Sequence, residues 1–223
     1  HRPVPLDYVG IKEIDIHGKV TGERRFIGLF TSSVYSGRVE DIPGVRVKVK
    51  AVLDQADFCA TSHDFNRLLN TLQTFPRDEL FQIDIESLKS MALAMLDLRD
   101  RRQGSLLVRR ELYGRFLSCL VFVPRDRHST DVRLKIEKIL MDAYQGTSVR
   151  FSTEISEAPL ARVHMVIYTD PRSGHELPDT AAVEARLVQS TRTWADFLRA
   201  SLIEAHGEEG GLERLDRYGS AFD

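Results

Sequence analysis

Hydrophobic and polar positions alternate at the start of the chain, over residues 7–16 and again near 25–31. A strand repeats every two residues, so the two stretches predict strands, with a turn at His17, Gly18 and Lys19. Residues 32–41 are polar and read as a loop. Pro43 suits the first turn of a helix running to about residue 59, because its missing N–H would be unsatisfied there anyway. A second helix is expected over 62–74, with Ser62 as its cap and Pro76 blocking its continuation. A short strand at 80–83 and a helix over 85–101 follow, the helix capped by Asp84 and carrying the apolar run MALAML. Residues 105–110 read as a strand that turns at Tyr113 and Gly114.

The second half has the sharper pattern. Residues 116–123 are a continuous apolar run, the mark of a strand covered on its faces. In 129–145, Val132, Ile136, Ile139, Leu140 and Ala143 fall on one stripe of a 3.6-residue helix. Ser129 or Thr130 caps its start and Gly146 is placed to stop it. Strands are expected at 148–155 and 160–169, each with one buried and one wet face. A long helix over 180–205 carries a seam of Val183, Leu187, Thr191, Trp194, Leu198 and Leu202. The string from 116 to 205 is therefore βαββα, one strand short of a ferredoxin-like unit. The strand at 105–110, or one from the first half, could supply the missing edge. The class is α+β: two ACT-like or ferredoxin-like units with antiparallel sheets covered by helices. Their expected limits are 1–111 and 112–206, with a loose tail or linker at 207–223.

Composition narrows the chemistry. The 223 residues are 42% hydrophobic and 29% charged with a net charge of -2, which suits a soluble globular chain and not a dedicated nucleic-acid binder. No apolar run approaches the roughly 20 residues that span a bilayer. Two cysteines, Cys59 and Cys119, make no disulfide framework, and a reduced, cytoplasmic setting is expected. The chain opens on HRPVP and reads as part of something longer.

No G-x-G-x-x-G, Walker A or G-x-S-x-G pattern is present. Cys59 and His63 have the spacing of two ligands on one helix face, but two ligands are not a metal site. Thus no catalytic, cofactor-binding or metal residues are assigned. The distinctive feature is a run of arginines: Arg99, Arg101, Arg102, Arg109, Arg110, Arg115, Arg125 and Arg127. Guanidinium groups suit carboxylates and phosphates, so the run points to an anionic ligand or an acidic partner surface, or else to a solvated strand face. Arg125, Asp126, Arg127 and His128 join a strand to a helix N-terminus, where free N–H groups attract anions. These four are the candidate ligand or interface residues.

The stretches RRFIGLFTSSVY (24–35) and LYGRFLSCLVFVPRDRHSTDVRLKIEKILMDAYQGTSVRFSTEISEAPLARVHMVIYTDP (112–171) resemble the large bacterial NAD-specific glutamate dehydrogenases. The similarity falls in their non-catalytic N-terminal segment, which contains ACT-like domains. It implies a parent reaction converting L-glutamate, NAD and water to 2-oxoglutarate, ammonium and NADH. It also implies a homo-oligomer, with NAD bound in the parent enzyme and no cofactor in this segment. Partners implied are the catalytic region of the same chain and an amino-acid effector, with neither nucleic acid nor membrane. The segment would be regulatory or structural; the alternative is a sensor of amino or organic acids, with an anionic ligand near Arg125–His128.

Overall fold

A computed structural model describes residues 6–99, 104–155, 158–172, 176–192 and 194–218. The chain opens with the expected hairpin, β1 (Asp7–Ile14) and β2 (Val20–Gly28), in antiparallel register from Asp7 opposite Gly28 to Lys12 opposite Glu23. Its turn is set by Asp15, whose carboxylate accepts from the backbone N–H of His17 and of Lys19, each at 2.9 Å. Gly18 sits there at φ +80, a conformation that costs glycine little.

Five helices follow the hairpin, so the first half is mixed, as expected. The expected loop at 32–41 contains a short helix α1 (Ser32–Ser36) and a 3-10 turn at Val39–Asp41. Then come α2 (Val45–Gln55), α3 (His63–Gln73), α4 (Arg77–Gln82) and α5 (Ile85–Arg99). Ser62 caps α3 by accepting from Phe65 N–H at 3.1 Å, and Asp84 does the same for α5 from Ser87 N–H at 2.8 Å. The strand expected at 80–83 is replaced by α4. Pro76 does not merely end α3: its carbonyl accepts from Leu80 N–H, and Asp78 and Glu79 sit in the first turn, where acidic groups favour the helix. Leu68, Leu72, Leu80, Leu88 and Ala92 fill the core of this helical cluster.

The second sheet has four antiparallel strands in the order β3-β4-β6-β5, formed by β3 (Ser105–Arg110), β4 (Phe116–Pro124), β5 (Ser148–Glu154) and β6 (Leu160–Tyr168). The strand at 105–110 thus supplies the missing edge. It pairs with β4 from Ser105 opposite Phe122 to Arg110 opposite Leu117. A ferredoxin-like unit closes with its last strand beside its first; here a strand placed ahead of the unit takes that edge. β3 lies within residues 1–111, the span expected for the first unit, and pairs with the first strand of the second.

Helices α6 (Thr130–Tyr144) and α7 (Thr180–Ser190) cover one face of this sheet, packing Ile136, Leu140 and Val183 on Leu117, Cys119 and Met165. Ser129 caps α6 through Val132 N–H at 3.2 Å. Gln145, not Gly146, takes the left-handed position that ends α6. Gly146 is needed for space: a Cβ there would lie 2.6 Å from Ile167 Cγ2. The other face packs on the helical cluster, whose core takes in Leu120, Phe122 and Leu160. β4 and β6 are accordingly buried on both faces, as the unbroken apolar run of β4 requires. The wet face expected on β6 is absent, because α4 and its neighbours cover it. β5 departs the other way: it is an edge strand whose Phe151 and nearby Ile155 stay exposed.

The single helix expected over 180–205 is two, α7 and α8 (Trp194–Tyr218). Ser190 and Thr191 end α7 by donating their hydroxyls to the carbonyls of Leu187 and Val188. The tail expected to be loose is helical to Tyr218, interrupted at Gly207 (φ 73, ψ 172). A Cβ on Gly211 would meet the Ile203 backbone at 2.7 Å. Eight residues of straight helix would separate these two by roughly 12 Å, so the second limb doubles back on the first.

Candidate functional site

The charged groups collect where the helical cluster meets the sheet. Arg109 on β3, Ser118 on β4 and Arg162 and His164 on β6 alternate with the residues that face α6 and α7, so they point at the helices on the opposite side. Ser118 Oγ and His164 Nε2 lie 2.9 Å apart, both buried. α4 presents Glu79, only 2% exposed, as ion-pair partner to Arg109 Nε. Arg162 reaches the Thr74 carbonyl at the end of α3 and the Glu154 carboxylate on β5. Lys48 of α2 donates to the carbonyls of Leu80, Phe81 and Ile83 at 3.1, 3.0 and 2.7 Å, closing the C-terminal end of α4.

This environment biases proton occupancy. Burial holds the His164 imidazole below its ordinary range; Arg162 and Arg109 act in the same direction, and Glu79 and Asp78 against it. Burial likewise lowers Lys48, with Arg109 adding to the effect. Cys119, beneath the same sheet, has its thiol pushed far up by burial, which makes it an unreactive core side chain. Tyr144 is pushed up to about 12 for the same reason. A cavity of about 60 Å³ lies in the seam between Thr71, Thr74, Met95, Leu98, Phe122 and Arg162. The Ser118–His164 pair resembles a nucleophile and its base, but both groups are buried on the face of the sheet that packs on the helical cluster. The arrangement joins two modules by polar contacts.

The four residues expected as a ligand or interface site do lie together, in a 3-10 turn (Arg125–Arg127) ahead of α6. Arg127 is engaged: its Nη1 and Nη2 meet the Asp196 carboxylate of α8 at 2.7 and 2.9 Å, a bidentate clamp across 69 residues. Arg125 and Asp126 are exposed, and Arg125 N–H donates to the Pro159 carbonyl at 2.9 Å. The buried Nε2 of His128 meets no hydrogen-bonding partner among the described residues.

The wider arginine run is not one patch. Arg109 pairs with Glu79, Arg115 with Glu111 at 2.7 Å, and Arg127 with Asp196. Arg101 and Arg102, and the side chain of Arg99, lie outside the described residues. Cys59 and His63 do not share a helix face, since Ser62 starts α3 between them and Cys59 bonds Thr61 at 3.4 Å. Among the described residues no group of three metal-ligating side chains occurs, and no helix is long and apolar enough to cross a membrane.

Sequence reasoning reached Arg127 but missed Glu79, Arg109, Arg162 and His164 as a set. The available signal was the pair of buried strands: a polar side chain within a strand covered on both faces must find a partner.

Comparison with known proteins divides the chain at the same seam. Residues 42–101 match the glutamate dehydrogenase helical motif 1, and residues 105–195 match the glutamate dehydrogenase ACT2 domain. The chain is 41% identical over 222 residues to the NAD-specific glutamate dehydrogenase of Halomonas elongata and 40% identical over 222 residues to that of Pseudomonas aeruginosa. It is 35% identical over 214 residues to that of Mycobacterium tuberculosis. The first two matches cover 100% of this chain and 14% of each relative; the third covers 90% of this chain and 13% of the relative. With a helical motif and an ACT module packed across one polar seam, the chain belongs to the NAD-specific glutamate dehydrogenase family and corresponds to about a seventh of the length of such a protein.

Proposed function

We propose that this chain is a regulatory and assembly segment from the N-terminal region of a large NAD-specific glutamate dehydrogenase. The parent enzyme would convert L-glutamate, NAD and water to 2-oxoglutarate, ammonium and NADH. The carrying observation is that buried polar contacts at the seam, Glu79 with Arg109 and Arg162 with the Thr74 carbonyl, bind the helical motif to the ACT sheet. Groups used this way hold a scaffold in one arrangement and do not face a reacting substrate. The segment's partner is the catalytic region of the same polypeptide, with NAD bound there, in a cytoplasmic homo-oligomer. Glu79→Leu in the full-length enzyme tests this: the reading expects altered oligomer mass or effector response. Unchanged assembly and regulation, in a variant shown to have opened the seam, would oppose it.

The second reading is a sensor for an amino or organic acid at Arg125–His128. It is favoured by the exposed Arg125 beside the N-terminus of the 15-residue helix α6. A thermal-shift screen with amino and organic acids, repeated on Arg125→Ala and Arg127→Ala, decides it. A ligand that binds only the folded state raises stability, and the shift should vanish in the variants.

A further inference from the structure

The hairpin β1–β2 is apolar on both faces. Tyr8 stands opposite Ile27 on one face at its base, and Val9 opposite Phe26 on the other. Ile14 stands opposite Val20 near the tip. All six are exposed, and Ile16 at the turn is 95% exposed. A two-stranded hairpin alone in water is marginally stable at best. This one touches the body mainly at its root, where Phe30 stacks on Phe81 at 4.3 Å and Phe30 N–H donates to Asp7 at 3.2 Å.

Its charges are largely spent internally. Glu13 pairs with Arg24 at 3.3 Å, Glu23 with Arg25 at 3.0 Å, and the Tyr8 hydroxyl donates to Glu23. What remains for a partner is apolar side chains on two faces and backbone groups along two strand edges. That is the chemistry of further strands, not of a charged ligand.

We infer that β1 and β2 are two strands of a larger antiparallel sheet, whose other strands come from polypeptide of the same protein on the amino-terminal side of this hairpin. Two observations identify the occupant. The chain is 14% of the length of its first two relatives, so most of the polypeptide able to cover the hairpin lies outside these residues. The module at 105–195 is numbered as a second ACT unit, and the hairpin stands ahead of both it and the helical motif at 42–101. That is where the end of a first such unit would fall. A second copy fits worse. Full two-fold pairing of β2 edges sets Arg24 against Arg24, like charges directly opposed, and the Glu23 it brings opposite Arg25 already holds the Arg25 of its own chain. The equivalent pairing of β1 sets Lys12 against Val9 and Glu13 against Tyr8. The inference rests on family membership and is independent of the regulatory reading.

The test is hydrogen exchange of the full-length protein beside this chain, at one pH and temperature. The β1 and β2 amides should exchange roughly 100-fold more slowly in the full-length protein. A photo-crosslinker at Ile11 should capture preceding polypeptide of the same molecule. Ile11→Lys with Phe26→Lys should remove the protection while peptides of β4 and β6 keep theirs. Equal exchange in both proteins would overturn the inference. So would crosslinks to another subunit, or protection in the short chain that grows with concentration alongside a dimer mass.

Discussion

In β4, seven of nine residues are buried, whereas no residue of β1 or β2 is. Both regions are antiparallel, both are rich in β-branched and aromatic residues, and both were readable as strands. The difference lies in what covers them. β4 sits between α6 and α7 on one side and the helical cluster on the other, so Leu120 and Phe122 contact helices while Val9 and Phe26 contact water. Strand pairing satisfies the backbone in both cases. Burial of apolar area, about 25 cal/mol per Å², is what separates a folded layer from a projecting arm.

The largest effect expected on the covered side comes from breaking the buried ion pair. Glu79→Leu leaves Arg109 charged and unpaired in the seam and should lower unfolding stability by about 3–5 kcal/mol in a urea titration. Adding Arg109→Met should recover much of that loss, because the stranded charge goes with it. Next comes Leu120→Ala, expected to cost roughly 2–5 kcal/mol by opening a cavity between sheet and helices. At the edge of the covered region, Ser129→Ala removes the α6 cap and should cost about 1 kcal/mol in the same assay.

A smaller effect should appear with pH. Burial lowers the folded His164 below its ordinary 6.5. Below that pH the unfolded chain binds a proton that the folded chain resists, so His164 contributes stability above about pH 6.5 that is lost as pH falls toward its folded value. His164→Gln should flatten the stability profile in that window while keeping a partner for Ser118. An unchanged slope would remove His164 from the seam's electrostatics. The smallest effect belongs to the bare side: Ile11→Ala should change stability of this chain by no more than ~0.5 kcal/mol. A loss as large as that of Leu120→Ala would mean that the two regions are covered alike.

The sequence carried local structure well where one rule dominated. The 3.6-residue stripe of α6, the apolar run of β4, the Ser62 cap and the turn at His17–Lys19 all stand where the pattern puts them. It misled where tertiary packing decided. Leu80 and Ile83 read as a strand because four apolar-rich residues look alike in either state; the Pro76 carbonyl and the acidic first turn make them part of a helix end. Arg162 and His164 read as a wet face because alternation cannot say what lies above a strand. The charge pairs that define the seam and the loop, Glu79 with Arg109 and Arg127 with Asp196, join residues 30 and 69 positions apart, beyond any local spacing rule.

If these residues serve assembly and regulation, as proposed, the chemistry of the enzyme lies elsewhere in the polypeptide. The direct measurement is NADH formation from glutamate and NAD by the purified chain, beside the full-length protein at equal molar concentration. The account predicts turnover by the full-length protein and none by the chain. NADH formed by the chain alone would contradict it.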